Sequence, residues 1–222
     1  MSEQPVRVLI AGIGGLGVHM VREALERGAS VSVLARDRER LAARLGEETL
    51  ARLTAVTIGD ATDPATLDAA MRDVDVAISG NGAHKTMARQ MAEAVKRNGL
   101  RKLIWPAGGS NAMSEDGVTP AYQQYLDWWP AAEQVYRAHQ ACIDAIRETG
   151  ITYMIFAPGR MTTHGYRSAD VRSTIRINRV AGMSVSYEDA AWVMLEAALT
   201  DAYDRQIVSA ATPNQHSNAS RR

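Results

Sequence analysis

A glycine-rich turn near the start of the chain constrains the fold most strongly. Residues 8–21, VLIAGIGGLGVHMV, carry four glycines within six positions, directly after an apolar run. The β-branched run Val6–Ala11 predicts a buried strand. Apolar residues then recur at helical spacing from Leu16 onward, until Gly28 ends the pattern. A strand that turns at once into a helix is the first half of a β-α-β unit.

Strands and helices alternate along the rest of the chain. Further strands are predicted at Ser30–Ala35, Thr54–Ile58, Val74–Ser79, Lys102–Trp105, Ile151–Phe156 and Gln206–Ser209. Helices are predicted from the cap Asp37 to Leu45, from Asp63–Pro64 onward, and at Lys85–Arg97, Ala131–Glu148 and Tyr187–Leu199. In the last of these, Ser186 and Asp189 have the spacing of a capping box. The alternation predicts an α/β fold of Rossmann type, a doubly wound parallel sheet with helices on both faces.

Two long segments interrupt the alternation, at 106–130 and 157–185. Each follows a strand, so each starts at the carboxyl edge of the sheet, where open α/β sheets bind ligands. Both are rich in aromatic residues and histidine, which favours loops that fold over a pocket. No second domain boundary is visible. We therefore expect one domain over residues 1–212, with these substrate loops built in, and a flexible tail over 213–222.

Composition excludes several classes of function. The formal net charge is zero, which argues against nucleic acid or an anionic membrane as partner. The single cysteine, Cys142, allows no disulfide within the chain and favours a cytoplasmic protein. No apolar stretch is long enough to cross a membrane, and no His, Cys, Asp or Glu spacing indicates a metal site. A small-molecule substrate and a monomeric or homodimeric state are expected.

The glycines match the pattern G-x-G-x-x-G through Gly12, Gly14 and Gly17, with Gly15 in addition. In this pattern the first glycine permits the turn, the second lets a pyrophosphate approach the backbone, and the third allows close helix packing. A tight turn without a ligand would also use glycines. The position between a strand and a helix favours a dinucleotide cofactor.

The residues after the second strand, in VLARDRER, bear on which dinucleotide is bound. Arg36 follows the strand directly, and a guanidinium matches a 2′-phosphate. NADP(H) is therefore favoured over NAD(H). The alternative places Asp37 on the ribose hydroxyls, as NAD(H) requires, although Asp37 also suits the cap of the next helix.

These segments together resemble the atypical short-chain dehydrogenase/reductase superfamily, in the NAD(P)-binding group of NmrA-like and biliverdin reductase B (flavin reductase)-like proteins. The resemblance covers about residues 6–210. It is carried by VLIAGIGGLG, VSVLARDRERL, TIGDATDPATLDAAMRDVDVAISGNG, AVKRNGLRKLIWPAG, CIDAIRETGITYMIFAPGRM and VSYEDAAWVML. It implies a cofactor site formed by Gly12, Gly14, Gly15, Leu16, Gly17, Arg36, Asp60, Ala61, Gly80, Asn81, Gly82, Pro106, Ala107, His139, Pro158, Gly159 and Met161.

The catalytic positions depart from the superfamily, many of whose members use a Ser and a Tyr-x-x-x-Lys pair. The resemblance places the serine at Gly108, with Ser110 nearby but displaced, and places His139 where the lysine would stand. Val135 occupies the tyrosine position, and no lysine follows Lys102. Biliverdin reductase B resembles this chain in having a histidine at the His139 position. A lysine-assisted tyrosine mechanism is therefore not expected.

His139 is the first candidate for a catalytic or ribose-binding group, since imidazole titrates near neutrality. His164 and Tyr166, in the loop after the sixth strand, are further catalytic candidates. The alternative for His139 is a histidine on a helix surface without chemistry, and the alternative for His164 and Tyr166 is a solvated loop. Packing is the favoured role for Cys142, Tyr122 and Tyr125. Trp128–Trp129 are expected to form a wall or lid of the pocket. His84 is expected either to start a helix or to lie at the nicotinamide edge.

The expected function is an NADP(H)-dependent oxidoreductase. It would transfer a hydride to or from a small organic substrate of quinone, flavin, enone or carbonyl type, for which strong acid catalysis is less necessary. Two alternatives stay open. One is a non-redox isomerase, epimerase or cyclase on the same fold, and the other is an NmrA-like dinucleotide sensor without turnover.

Overall fold

A computed structural model describes residues 4–213 of the chain. The expected flexible tail lies outside the described residues except for Pro213. The strands are β1 (Arg7–Ala11), β2 (Ser30–Ala35), β3 (Ala55–Ile58), β4 (Val76–Ser79), β5 (Lys102–Pro106), β6 (Tyr153–Phe156), β7 (Arg160–Thr162), β8 (Arg176–Ile177), β9 (Ser184–Ser186) and β10 (Ile207–Ser209). The helices are α1 (Gly15–Glu26), α2 (Arg38–Leu45), α3 (Glu47–Ala51), α4 (Pro64–Ala70), α5 (Lys85–Arg97), α6 (Ala132–Arg147) and α7 (Tyr187–Leu199).

The main sheet has eight strands in the order β3-β2-β1-β4-β5-β6-β10-β8. All neighbours pair in parallel except β8, which runs antiparallel to β10 at the edge. The strand order reverses between β1 and β4, because the chain builds outward from β1 in one direction and then restarts beside it. The predicted Rossmann-type α/β fold is thereby confirmed, and β10 is the expected seventh parallel strand.

Alternate strand residues face two apolar cores, one on each side of the sheet. In β1, Val8 and Ile10 join the core under α1 and α7, whereas Leu9 joins the core under α4, α5 and α6. The period of two in side-chain direction explains this division. Because both faces are covered, the central strands β1, β4 and β6 are mostly apolar.

Side-chain caps begin four of the helices at expected positions. Asp37, Asp63 and Ser186 accept hydrogen bonds from backbone N–H groups in the first turns of α2, α4 and α7, and His84 does so for α5. The expected capping box of α7 is only half formed. The buried Asp189 carboxylate accepts instead from Ser168 N and Oγ and from Thr212 Oγ1. A tertiary contact therefore replaces the reciprocal cap.

The two long segments hold more regular structure than the sequence indicated. Residues 157–185 contain β7, β8 and a 3₁₀ turn at Val171–Thr174, and β7 pairs in parallel with β9 in a separate two-stranded sheet. Residues 106–130 contain 3₁₀ turns at Gly109–Asn111 and Ala121–Tyr125. Such short elements depend on partners distant in sequence, so local patterns do not signal them. The helix α3 was also not predicted. Across residues 4–213, no helix has both the length and the apolar character to cross a membrane.

Candidate cofactor-binding site

A cavity of about 720 Å³ opens at the carboxyl edge of the sheet, where the strand order reverses. The turns after β1, β2, β3 and β4 line it, and one side chain of α6 closes one side. Nine residues of the expected cofactor set line this cavity: Gly12, Gly14, Arg36, Asp60, Ala61, Gly80, Asn81, Gly82 and His139. The tertiary structure thus brings together residues from five separate segments of the chain.

The glycine turn has the geometry that the motif requires. Gly12 has φ +92°, in the left-handed region, and its N–H donates to the carbonyl oxygen of Leu34. A methyl group at Gly17 or at Gly80 would overlap with the carbonyl oxygen of Gly12, so both neighbours must be glycine. Gly14 faces open space. The turn is therefore packed tightly against the protein on one side and open toward the cavity on the other.

The N-cap and the first turn of α1 provide no side chain that would neutralise the helix dipole. The N-cap, Gly14, provides no side-chain cap, and the first turn holds no acidic residue. The first backbone N–H groups of a helix have no partner within the helix, and they favour an anion. A phosphate group at this end of the cavity would satisfy them.

Three arginines line the cavity at the end of β2. Arg36 follows the strand, and Arg40 and Arg44 follow on α2. None of these three forms an ion pair with the residues that the structure describes. Arg36 was singled out from the sequence, and Arg44 was missed. The sequence signal for Arg44 is its spacing of four residues from Arg40, which places both side chains on one face of a helix.

Two acidic residues that line the cavity, Asp37 and Asp60, are engaged locally. Asp37 accepts a hydrogen bond of 2.9 Å from the backbone N–H of Arg40 as the cap of α2. Asp60 accepts from the backbone N–H of Thr62 at 2.8 Å and from its hydroxyl at 2.9 Å. These two hydrogen bonds lower the pKa of Asp60, and the charge of Arg36 contributes further. Asp60 is therefore ionised at neutral pH.

His139 projects from α6 to the opposite end of the cavity. Its Nδ1–H donates to the carbonyl oxygen of Gly82 at 3.0 Å, and the indole N–H of Trp105 donates to the same oxygen at 3.2 Å. Burial lowers the pKa of His139, although the hydrogen bond to Gly82 acts in the opposite direction. The imidazole is therefore neutral at neutral pH, with its proton on Nδ1, and Nε2 is a hydrogen-bond acceptor.

The other expected cofactor residues do not line this cavity. Leu16 and Gly17 are buried in α1, and Gly15 lies under the ring of Tyr187. Pro106 and Ala107 are buried at the end of β5, where Ala107 N–H donates to Phe156 O at 2.6 Å. The remaining three lie beyond β6: Pro158 and Gly159 in the segment that leads into β7, and Met161 within β7. Their contact with a cofactor stays a prediction.

The two loop candidates for catalysis do not line the cavity that His139 lines. His164 and Tyr166 are exposed and pack against each other with tilted rings, whose centroids are 4.3 Å apart. Glu188, in the first turn of α7, accepts from the backbone N–H groups of His164 and Gly165 and so holds their loop. Neither side chain lines the cavity. Their catalytic role stays a prediction.

The expected packing residues lie in the protein body or stack with one another. Cys142 is fully buried, and burial raises the pKa of its thiol, which suits a packing role. Tyr122 stacks on Tyr136 at 4.4 Å between centroids, and Tyr125 packs against Trp128. His84 lines the cavity and also caps α5, where its Nδ1 accepts from Met87 N–H.

The long loops pack on each other and do not cover the large cavity. Gly109 N–H donates to Pro158 O, and Met113 pairs with both Pro120 and Arg179. Residues from both loops and from α6 enclose a second, smaller cavity of about 280 Å³. Over residues 4–213, no group of three His, Cys, Asp or Glu residues is arranged to hold a metal ion.

Comparisons with known proteins agree with this architecture. A short-chain dehydrogenase/reductase from Veillonella parvula, solved in complex with NADP, matches with a TM-score of 0.76 at 15% identity, over 96% of this chain and 97% of that chain. ChuY, an anaerobillin reductase from Escherichia coli O157:H7, matches with a TM-score of 0.70 at 20% identity, over 93% of this chain and 97% of that chain. At these identities the likeness shows the fold. No curated protein matches the chain in sequence.

A family model described as NAD(P)H-binding matches residues 12–201, from the glycine turn to the end of α7. The matched span includes every residue that lines the large cavity. This chain belongs to the NAD(P)H-binding family, and it shares the fold of a short-chain dehydrogenase/reductase, as the expected resemblance implied.

Proposed function

We propose that this protein is an NADP(H)-dependent oxidoreductase that transfers a hydride to or from a small organic substrate of quinone, flavin, enone or carbonyl type. One observation carries the proposal. The cavity at the strand-order reversal runs from a group of three arginines, past an open glycine turn, to a neutral histidine. These are the groups that a phosphorylated dinucleotide meets from its adenosine end to its nicotinamide end.

The residues of the cavity fit NADP(H) in detail. The uncapped amino end of α1 and the open face of Gly14 suit a pyrophosphate. Arg36, Arg40 and Arg44 have no acidic partner among the described residues and suit a 2′-phosphate. Asp37 is engaged as a helix cap, which disfavours its use as the ribose acid for NAD(H). When bound, the nicotinamide supplies the hydride chemistry.

His139 suits a binding role better than the role of a strong acid. Its Nδ1–H is held by the carbonyl oxygen of Gly82, so Nε2 accepts a hydrogen bond at neutral pH. A ribose hydroxyl is a suitable donor. The site then lacks a strong proton donor at this position, which favours substrates such as quinones or flavins whose reduced oxygens or nitrogens take protons from water.

The alternatives differ in what they predict for turnover. The missing Ser and Tyr-x-x-x-Lys residues favour a dinucleotide sensor, whereas the aromatic loops at the same sheet edge favour an enzyme. A Bacteroides thetaiotaomicron protein considered a candidate epimerase shares the fold with a TM-score of 0.72 at 16% identity, over 96% of this chain and 100% of that chain. The fold therefore does not separate redox from non-redox chemistry.

Incubation with NADPH and a panel of quinones, flavins and enones is expected to consume NADPH, measured by its absorbance at the nicotinamide band. NADPH fluorescence titration serves as the parallel binding measurement. Tight binding without turnover across the panel would contradict the oxidoreductase proposal and favour the sensor or the non-redox enzyme.

The double variant Arg36→Ala/Arg40→Ala is expected to weaken NADPH binding by about tenfold or more, because two guanidiniums near the 2′-phosphate are lost. NADH affinity should change little. Arg38→Ala is the matched control, since Arg38 is exposed on the same helix and does not line the cavity. Equal affinity of the wild-type protein for NADPH and NADH, in fluorescence titration, would contradict the role of the arginines.

His139→Ala is expected to lower cofactor affinity or turnover by about tenfold, because the acceptor at the nicotinamide end is removed. Acidic pH should also lower cofactor affinity or turnover. Protonation of Nε2 converts the acceptor to a donor, and burial shifts this change below the ordinary imidazole range. Titrations at several pH values test both expectations. Unchanged affinity and turnover would eliminate His139 from the site.

A further inference from the structure

We propose that the smaller cavity, between α6 and the β10–β8 edge of the main sheet, is a separate binding site for a small carboxylic acid with an apolar body. The cavity has a volume of about 280 Å³. Its lining residues are all different from those of the cofactor cavity, so the proposal does not depend on the hydride transfer proposed above.

The charge of this cavity comes from Arg147, in the last turn of α6. It is the one charged residue that lines the cavity among the described residues, and within that part of the chain it forms no ion pair. Two neighbouring acids are engaged elsewhere. Asp144 accepts from Gln140 Nε2 at 2.8 Å, and Glu148 pairs with Arg89. A cation without a counter-ion beside a cavity favours an anionic ligand.

The guanidinium of Arg147 is held in one orientation by Tyr153. Its Nε donates to the hydroxyl of Tyr153 at 3.0 Å, and its Cζ lies 5.8 Å from the centroid of the same ring. Tyr153 is itself buried in β6. The N–H groups on the two terminal nitrogens of Arg147 donate to no protein group over residues 4–213. Two such N–H groups side by side match the two oxygens of a carboxylate.

The rest of the lining has a polar part and an apolar part. Asn178 adds an amide that makes no side-chain hydrogen bond within the described range. Its backbone is fixed, since its N–H donates to Ile207 O at 2.7 Å and its carbonyl oxygen accepts from Met113 N–H at 3.2 Å. The amide is therefore available to a ligand as a further donor. Apolar and aromatic residues supply most of the remaining wall: Ala112, Met113, Pro120, Tyr136 and Ile207. A ligand that fills this cavity needs an apolar body as well as an anionic group.

The size and rigidity of the cavity limit the ligand further. Asn111, another lining residue, is 5% exposed, and its Nδ2 donates to Tyr136 O at 3.1 Å and to Gln140 Oε1 at 3.3 Å. A wall fixed in this way loses little freedom on binding. The volume lies just below the roughly 300–1,000 Å³ of sites for drug-sized ligands. An acid with a single ring, such as an arylacetate, is therefore the class that fits.

The test titrates the full-length protein with 4-fluorophenylacetate, followed by fluorine NMR. Saturable binding is expected, and Arg147→Met should weaken it by about tenfold or more, because the carboxylate loses its charged partner. Arg137→Met is the matched control, since Arg137 is exposed on the same helix, pairs with Glu133 and lines neither cavity. Its Kd should equal that of the wild-type protein. Absence of saturable binding, or wild-type affinity in Arg147→Met, would overturn the site.

A milder variant covers the case in which Arg147→Met unfolds, as its melting temperature would show. Tyr153→Phe retains the ring in β6 and removes only the hydroxyl that orients the guanidinium. The affinity for 4-fluorophenylacetate should fall by about fivefold. Unchanged affinity in this variant would contradict the orientation of Arg147 on which the site depends.

Two further probes test the class of ligand. The neutral 4-fluorophenylacetamide should bind at least about tenfold more weakly than the acid, because it lacks the charge that Arg147 complements. Inorganic phosphate, which has no apolar body, should not displace the acid at equal concentration. Equal affinity for acid and amide, or displacement by phosphate, would overturn the assignment to an amphipathic carboxylate.

The arginines of the cofactor cavity also attract anions, so the two sites must be separated. Arg36→Ala/Arg40→Ala should bind 4-fluorophenylacetate with the wild-type Kd, and NADPH should not displace this acid from the wild-type protein. Loss of the acid in either measurement would place it in the cofactor cavity and overturn the inference. Because NADPH turnover is not measured, failure of this site would leave the proposed oxidoreductase function standing, and the converse also holds.

Discussion

Replacing Gly80 with alanine is expected to abolish measurable NADPH binding and to lower the melting temperature of the protein. The reason is steric. A β-carbon at this position would overlap with the carbonyl oxygen of Gly12, in the adjacent turn after β1. Neither group is the end of a flexible side chain, so the two turns must move apart. Since both turns line the cavity, the site itself is distorted.

Gly14→Ala is the informative partner of this variant. A β-carbon at Gly14 meets no atom within 4 Å and points into open space, so the melting temperature should not fall. If a pyrophosphate occupies that space, NADPH affinity should nevertheless decrease by about tenfold or more. Calorimetry and fluorescence titration separate the two effects. Full NADPH affinity in Gly14→Ala would indicate that the glycine turn serves only the packing of strand and helix.

Replacing Asp204 with asparagine is expected to cost about 2 kcal/mol of unfolding free energy, because it removes a partner of a buried ammonium group. Lys102, at the amino end of β5, has a side chain only 2% exposed. Its Nζ donates to Thr200 O at 3.0 Å, to Asp201 Oδ1 at 2.8 Å and to Asp204 Oδ1. Because two partners remain, the cost lies below the roughly 3–5 kcal/mol of a fully broken pair. The melting temperature should fall by about 4–8 °C.

Lys102→Met is the control for this prediction. It removes the charge together with its need for partners and retains an unbranched apolar side chain, so stability should stay near the wild-type value or rise. Denaturant unfolding of both variants provides the measurement. A loss in Lys102→Met as large as that in Asp204→Asn would show that the lysine stabilises the fold outright, contrary to this account.

The cluster around Lys102 also makes the stability of the folded protein depend on pH, in a direction that follows from the pKa of Asp201. The hydrogen bond from Lys102 and then its charge lower the pKa of Asp201 below the ordinary value of 3.8. A carboxyl group whose folded-state pKa is depressed contributes stability above its unfolded pKa, and that contribution is lost as the pH falls through the folded value. Wild-type protein should therefore lose more stability than Lys102→Met on acidification below about pH 4.

Local signals in the sequence were sufficient for the main elements. The alternation of apolar runs and amphipathic helices predicted every strand of the parallel sheet, and the caps Asp37 and Asp63 were placed at the residue. Boundaries moved by one or two residues, as at Tyr153, because a strand ends where its neighbour stops pairing. The strands β7, β8 and β9 were missed, since each exists only through pairing with a distant segment.

The candidate site divides in the same way. Gly12 and Arg36 could be assigned from the sequence because the motif and the end of a strand mark them locally. The spacing of four relates Arg44 to Arg40 in the sequence, but its place on the cavity wall depends on the direction of α2. The hydrogen bond of His139 to Gly82, 57 positions away, makes Nε2 of the imidazole an acceptor at neutral pH, and no local pattern in the sequence indicates this.

By itself the sequence determined the class of fold and the class of ligand, because both depend on the order of strands, helices and glycines along the chain. Only the tertiary structure decided which side chains share the cavity and which nitrogen of His139 carries the proton. It also placed His164 and Tyr166 outside the lining of that cavity. These depend on distances between segments remote in sequence, and on burial, which changes pKa values and leaves polar groups with or without partners.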